Sequence, residues 1–460
     1  MKMRLASRRL QAIVARSPIS TRTALLATEA FRGVREAGKS TNSDEIKILI
    51  IGGGSGGIAV SANLARTIGL EGIAVVDPSP VHSYQALWTF VGAGLKDLNE
   101  SQRPMSDVIP SKVQWIQEKT VAIEPEFNRV VLDSGRKLRY EYLVVAPGIE
   151  LKWNKISGLK EALGKNGVAS NYSDKYVKKV WEFLKQTKEG NALFTMPSTP
   201  VKCAGAPQKI AYLAEDYFRK NNVRDKVNVG FYSGLGKLFA IEKYANELAK
   251  ICKDRNIQTN FLHELVEVDG AKKVAIFQKQ GADKKVEVPF SFLHVTPPMG
   301  AYDFIKESGL ANPAGFVDVD HGTLIHNKYK NIFSLGDASS CPTSKTAAAV
   351  TAQTGVVTFN LLHTLEQVSK GTPLSSVKTN NFIKYDGYTS CPLLVGNSEL
   401  ILAEFSGYTG QPQETLPYDQ AKPSRLSYFI TSSIIPRLYW DGLLKGHWHG
   451  PSKLRKYFSH

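Results

Sequence analysis

Cysteine is scarce in this chain: Cys203, Cys252, Cys341 and Cys391 are the four among 460 residues. So few thiols, so widely spaced, exclude a disulfide-stapled scaffold. No CxxC pair or Cys/His cluster occurs and the nine histidines show no ligand spacing, so no metal site is expected. Nothing approaches about 18 uninterrupted apolar residues, which excludes a membrane-crossing helix. Short-period repeats and internal low-complexity tracts are also missing. Acidic residues are absent before Glu29, while residues 1–40 carry nine Lys/Arg and lack the apolar core of a secretory signal. That combination predicts a mitochondrial transit peptide over 1–40. The leader inflates the formal net charge of +16. No nucleic-acid-binding motif accompanies the remaining positive charge, so no nucleic-acid partner is expected.

What is present begins with IKILIIGGGSGG, an apolar strand running into glycines. Gly52, Gly54 and Gly57 form G-x-G-x-x-G between that strand and a predicted helix. The first glycine permits the tight turn, the second lets a pyrophosphate approach, and the third lets helix and strand pack closely. The helix N-terminus then offers free N–H groups to phosphate. GIAVVDP follows as a second strand ending at Asp77, 20 residues past Gly57, placed to accept from a ribose hydroxyl.

Later signals point to a flavin nucleotide. Gly336-Asp337 closes the strand-like run NIFSL, and YLVVAPG (142–148) is a buried-strand signal closed by Pro147-Gly148. Both resemble elements of FAD-dependent disulfide-reductase-like enzymes, in which the aspartate bonds the ribityl chain; Pro147 departs from the usual pattern. Ser134-Gly135 marks a hairpin within VVLDSGRKLRY. Between these elements lies a second α/β block. It has predicted helices at 174–187, 207–222 and 237–256, with strands at 191–197, 226–233 and within 258–295. Its best nicotinamide fingerprint, Gly234 and Gly236, has Phe239 where a third small residue is needed. The bulky ring disfavours NAD(P)H there.

The expected fold is α/β, with two Rossmann-like dinucleotide-binding domains, the second inserted in the first, plus a C-terminal membrane-associating region. The expected boundaries are 1–40 (transit peptide), 41–155 and 311–375 (FAD-binding domain), 156–310 (second Rossmann-like domain) and 376–460. From Lys422 onward seven basic residues meet one acid, Asp441, interleaved with Tyr428, Phe429, Tyr439, Trp440, Trp448, Tyr457 and Phe458. Apolar faces rimmed by Lys/Arg suit helices lying in a membrane interface.

Cys203, in PVKCAGAPQK, stands in a Gly/Pro turn just ahead of a predicted helix. A thiol near a helix N-terminus and beside Lys202 is expected to have a depressed pKa. Cys391 lies between the Asp386-Gly387 turn and Pro392, which predicts a constrained loop. Cys341 reads as a bystander and Cys252 as packing. Glu404 reads either as an aid to proton transfer or as a strand-end salt bridge.

Several stretches together resemble the mitochondrial sulfide:quinone oxidoreductase family over nearly everything after the leader. They are GGGSGG (52–57), YQALWTFVGAG (84–94), PVKCAGAPQKI (201–211), HVTPPM (294–299), PTSKTAAAV (342–350), KYDGYTSCPL (384–393) and LAEF (403–406). The resemblance implies FAD contacts at Gly52, Gly53, Gly54, Ser55, Gly56, Gly57, Asp77, Gln85, Val121, Asp337, Lys345, Thr346, Ala347 and Ala348. It also implies Cys203 and Cys391 as the redox pair. The implied reaction oxidises hydrogen sulfide, passes two electrons to ubiquinone and gives the sulfur to glutathione or sulfite. The implied location is the matrix side of the inner mitochondrial membrane. Two rivals remain on the residues alone: a type II NADH:quinone oxidoreductase and a non-catalytic flavoprotein relative.

Overall fold

The computed structural model describes residues 44–68 and 72–458, so the expected transit peptide lies outside the described residues. β1 (Glu45–Ile51) is a near-continuous apolar run because both faces are covered, as in parallel sheets between helices. It feeds α1 (Ser55–Ile68) and then β2 (Ile73–Val76). β3 (Gln114–Ile116), β4 (Thr120–Glu124), β5 (Arg129–Leu132) and β6 (Lys137–Val145) follow. The hairpin expected at Ser134-Gly135 joins β5 to β6. The YLVV signal is no separate strand: it is the second half of β6. That half leaves the hairpin and pairs in parallel with β1.

β7 (Val168–Ala169), α2 (Asp174–Gln186), β8 (Gly190–Met196), α3 (Ala206–Lys220), β9 (Val227–Ser233), α4 (Glu242–Asp254) and β10 (Gln258–Phe261) form the inserted block. An antiparallel trio comes next: β11 (His263–Asp269), β12 (Val274–Lys279) and β13 (Lys285–Pro289). β14 (Phe292–His294) then returns to the block, and β15 (Ile332–Ser334) returns to the first sheet. α5 (Ala347–Ser369), the hairpin β16 (Tyr388–Gly396) and β17 (Glu399–Ser406), and a short α6 (Arg425–Phe429) complete the framework.

The first sheet runs β3-β2-β1-β6-β5-β4, with β15 also paired in parallel to β6. The second runs β7-β14-β8-β9-β10, all parallel. The second sheet is thus drawn wholly from chain between β6 and β15. This is the two-Rossmann, inserted arrangement that the sequence predicts.

Two expectations change. The helix foreseen from 237 starts only at Glu242, because Leu238, Phe239 and Ile241 leave the helical path and bury themselves in the core. The C-terminal aromatics are not all on the outside. Tyr439, Trp440, Leu443 and Leu444 are buried against the first domain, whereas Leu426 and Phe429 are 53% and 50% exposed. No helix among the described residues is long and apolar enough to cross a membrane.

Candidate functional site

The glycine turn after β1 adopts the conformation its pattern demands. Gly52 has φ +100°, and a Cβ on Gly57 would sit 1.9 Å from the Gly52 carbonyl oxygen. Only glycine at 57 lets α1 start so close to the strand. A Cβ on Gly54 would meet nothing within 4 Å, which leaves open space at the helix N-terminus where a pyrophosphate can approach. Gly56 packs on Leu335 and Val350, so the glycine turn meets the strand end that carries Gly336-Asp337 and the first turn of α5. Gly57→Ala is therefore expected to weaken flavin retention by about 5–150-fold, since overpacking of about 1–3 kcal/mol falls on backbone that cannot yield. The flavin-to-protein absorbance ratio after purification checks this; an unchanged ratio would refute it.

Asp77 accepts from the Gly53 N–H at 2.6 Å and from the Ser79 N–H at 2.8 Å. Burial raises its pKa, and these two amides oppose the rise. It thus shapes the turn as well as standing where a ribose is expected. Asp337 is half-buried, its pKa is raised chiefly by burial, and its carboxylate has no hydrogen bond among the described residues. Such an acceptor suits a polyol chain. Asp337, Lys345 and Thr346 line one small cavity together with Gly336. Lys345 Nζ donates to the Asp337 carbonyl at 2.7 Å, and Thr346 caps α5 through the Ala349 N–H. Ala347 and Ala348 form the first turn of α5, with its positive end toward the cavity. Gln85 accepts from Lys202 Nζ at 2.8 Å, which ties it to the Cys203 turn. Val121 is 42% exposed on the edge strand β4, where the register with β5 shifts between Thr120 and Ala122. The residues lining the glycine turn and the Asp337 cavity fit a dinucleotide cofactor.

Sequence reasoning missed a clasp on this turn. His82 Nδ1 donates to the Gly53 carbonyl at 2.9 Å, so its Nε2 must accept from the Tyr439 hydroxyl at 2.6 Å. Tyr439 in turn accepts from Ser55 Oγ at 2.8 Å and stacks on Tyr84 at 3.9 Å. Burial pushes the His82 pKa down to about 4, which keeps the ring neutral. The only signal in the chain was one tyrosine among many in an aromatic tail.

The two thiols foreseen as a pair do meet. Cys203 Sγ and Cys391 Sγ are 3.5 Å apart, both as free thiols. Cys203 sits in a left-handed turn at φ +52°, a conformation that costs a non-glycine residue about 1–3 kcal/mol. The turn is held because the Cys203 N–H donates to the Lys345 carbonyl at 2.8 Å. That bond ties the thiol to the strip that carries Asp337 and α5. Gly205 is needed for a different reason: a Cβ there would lie 2.4 Å from Cys391 Sγ. Cys391 does not lie on a loop. It is buried in β16 opposite Ala403, and Pro392 is tolerated because the β16–β17 ribbon has only two strands.

The cation expected at Cys203 was Lys202, yet Lys202 turns away to Gln85. Lys209, on the first turn of α3 and buried, donates to Cys203 Sγ at 3.2 Å. The Cys203 pKa is lowered, first by the Cys391 thiol donating to it, then against burial by the Lys209 charge and hydrogen bond and the Gly205 amide. Cys391 is raised by the same contact and by its burial. One proton therefore stays on Cys391 and the negative charge settles on Cys203. For Lys209, burial works against the ammonium and the two sulfurs outweigh it, so it stays charged. Tyr172 stands over the Cys203 carbonyl at 3.5 Å.

The remaining candidates lie elsewhere. Cys252 is buried against the Tyr212 hydroxyl, and burial raises both its pKa and that of Cys341. Glu404 is buried within β17 and accepts from Tyr388, Thr415 and Gln420, with no salt bridge among the described residues. Its register partner is Ser390, which puts it on the opposite face of the ribbon from Cys391. It is neither a salt bridge nor a neighbour of the thiols.

The switch point of the second sheet, where a nicotinamide would bind, is filled by the protein's own charge. Ser198 N–H donates to both Glu264 oxygens, at 2.9 and 3.3 Å, and a Cβ on Gly234 would lie 2.1 Å from that carboxylate. A pyrophosphate arriving there would meet a like charge. Phe239, buried against Phe405 and Tyr244, leaves no helix start to receive it.

Residues 46–181 match the pyridine nucleotide-disulphide oxidoreductase family. The chain is 47% identical over 421 residues to the mitochondrial sulfide:quinone oxidoreductase of Mus musculus, covering 91% of this chain and 90% of the relative. It is 46% identical over 412 residues to the protein of the same name from Dictyostelium discoideum, covering 89% and 88%. Among solved structures, the sulfide:quinone oxidoreductase of Aquifex aeolicus superposes with a TM-score of 0.72 at 18% identity, over 90% of this chain and 95% of that one. That last likeness shows the shared fold.

Proposed function

Because this chain belongs to the mitochondrial sulfide:quinone oxidoreductase family, we propose that it oxidises hydrogen sulfide through the Cys203–Cys391 pair, with FAD as its flavin and ubiquinone as acceptor. The observation that carries this reading is the 3.5 Å approach of two thiols 188 residues apart, one of them charged by Lys209. A pair serving only to pack would need neither the buried lysine nor the left-handed turn at Cys203.

The pKa split supports an order of events. In the oxidised pair the two sulfurs are bridged, directly or through an additional sulfur. Hydrosulfide attacks on the Cys391 side: a new S–S bond forms to Cys391, and Cys203 leaves as thiolate from a direct bridge, or as a persulfide anion where a sulfur stands between. The sulfur of lower pKa leaves faster, and Lys209 favours that departure. The sulfane sulfur on Cys391 then passes to a small nucleophile, glutathione or sulfite. Closing the bridge again releases the two electrons that hydrosulfide brought in. When bound, the flavin supplies a two-electron relay from thiolate to quinone. Lys345 and the first turn of α5 offer positive charge that favours an anion beside Asp337.

The same reading puts the protein on the matrix face of the inner mitochondrial membrane, lying on the surface. Leu426 and Phe429 on α6, with Ile430 and Ile434 beyond them, form an apolar stripe at helical spacing that suits contact with a bilayer holding the quinone.

Anaerobic absorbance of the purified flavoprotein tests the reading. Sulfide is expected to bleach the flavin band, short-chain ubiquinone to restore it, and NADH to leave it unchanged. Bleaching by NADH with none by sulfide would overturn the proposal in favour of a type II dehydrogenase.

A further inference from the structure

A cavity of about 470 Å³ opens between the last turn of α1, the loop at 108–112 and the segment 444–447. Its floor is apolar, with Val108, Pro110 and Leu444, and its rim is basic, with Arg66, Lys112 and Lys445. No carboxylate lines it among the described residues. Arg66 Nε donates to the Gly446 carbonyl at 3.1 Å, and Lys445 Nζ to the Asp107 carbonyl at 3.4 Å. These contacts aim the cations without neutralising them. His447 joins the lining, and its pKa is lowered first by burial and then by the Arg66 charge. The three cations are exposed at the rim while Val108 and Leu444 are buried beneath them, so an anion with an apolar body can meet both at once.

We propose that this cavity binds the phosphodiester headgroup of an anionic phospholipid, with Arg66, Lys112 and Lys445 as its ligands and Val108, Pro110 and Leu444 against the glycerol and upper acyl carbons. This rests on the membrane reading above and goes beyond it. An apolar stripe binds any bilayer, whereas this site selects charge. Two features favour a lipid over other occupants. The cavity wall at 444–447 continues directly from the segment that carries the exposed Leu426 and Phe429. The chain's own leader, with nine basic residues, has the wrong sign to fill it. Basic pockets beside membrane-contacting helices take phosphate headgroups by the same electrostatics.

Flotation of the full-length flavoprotein separates the possibilities, with vesicles of phosphatidylcholine alone or of phosphatidylcholine mixed with phosphatidylglycerol. The wild-type protein is expected to partition at least about tenfold more onto the anionic vesicles. The triple variant Arg66→Gln, Lys112→Gln, Lys445→Gln should lose that increment, while keeping its binding to neutral vesicles and its turnover with a soluble short-chain quinone. A control of equal charge change on the exposed β12–β13 side, Lys272→Gln, Lys284→Gln, Lys285→Gln, should keep the increment. Equal loss in the control would reduce the effect to net charge and overturn the site. Loss of the increment in millimolar inorganic phosphate would make it a free-phosphate site, which also overturns the lipid proposal. Wild-type protein that binds both vesicles equally refutes the headgroup site alone. Protein that floats with neither refutes the membrane reading as well, and Leu426→Ser with Phe429→Ser tests that reading separately by its loss of neutral-vesicle binding.

Discussion

Serine in place of Cys391 is expected to lower sulfide-dependent quinone reduction by about 10³-fold or more, while the protein keeps its flavin. Hydrosulfide needs a sulfur–sulfur bond to attack, and a hydroxyl can neither enter that bond nor hold a sulfane sulfur. Cys203→Ser should lose activity to the same degree, because either change removes the bridge as a whole and the effects are not additive. Cys391 is 1% exposed, so its replacement buries a hydroxyl and costs about 1–3 kcal/mol of stability. A modest fall in Tm is therefore part of the expected result. The decisive readout is spectral. Sulfide should fail to bleach the flavin in either variant, whereas dithionite should still bleach it and quinone should still restore it. More than a tenth of wild-type turnover in either variant would remove the thiol pair from the route.

The second large effect belongs to Lys209. With Lys209→Met the thiolate of Cys203 loses a buried ammonium 3.2 Å away and keeps only the Cys391 thiol and the Gly205 amide against its burial. A hydrogen bond to a charged group is worth about 1.5–3 kcal/mol, so the Cys203 pKa should rise by roughly one to two units. The sign follows from the direction of the native shift. A lowered pKa keeps the thiolate populated at neutral pH and below. From the native value of about 5, the variant should lose its thiolate about one to two units higher, over roughly pH 6–7. The rate of flavin reduction by sulfide should fall about 5–50-fold at pH 5 and only about twofold or less at pH 7, with the acid limb of its pH profile displaced upward by about one to two units. Alkylation of the reduced protein by iodoacetamide should show the same displacement, and Lys209→Arg should recover part of it. An unchanged pH profile would show that the ammonium serves packing alone.

Much of the cofactor site was legible because its physics is local. Gly52, Gly54 and Gly57 are read from the chain since each is demanded by a backbone within a few residues or by an approaching phosphate. The capping of α5 by Thr346 is equally local, since its side chain bonds the helix that it precedes. Cys391 was misread as a loop residue for the opposite reason. Pro392 and the nearby glycine are turn signals, and only pairing with β17 across the register Cys391–Ala403 makes the segment a strand. Lys202 and Lys209 show the same limit. Adjacency in the chain favoured Lys202, but successive residues of an extended turn point apart, and α3 brings the lysine six residues on back over the sulfur. The C-terminal aromatics divided on packing: hydrophobicity alone does not separate Tyr439, clasped to His82 and Ser55, from Phe429, left on the surface.

The family resemblance supplied the pairing of two distant thiols. The order of residues was enough to establish a glycine turn shaped to receive a pyrophosphate and an inserted second α/β block. Those conclusions depend on steric rules that act over a single turn or one strand–helix unit. The fold alone settled which lysine charges Cys203, that Glu264 fills the second nucleotide crevice, and that the tail reaches back to hold the first. These rest on contacts between segments tens to hundreds of residues apart, where the free energy comes from burial and charge in three dimensions and leaves no periodic trace along the chain.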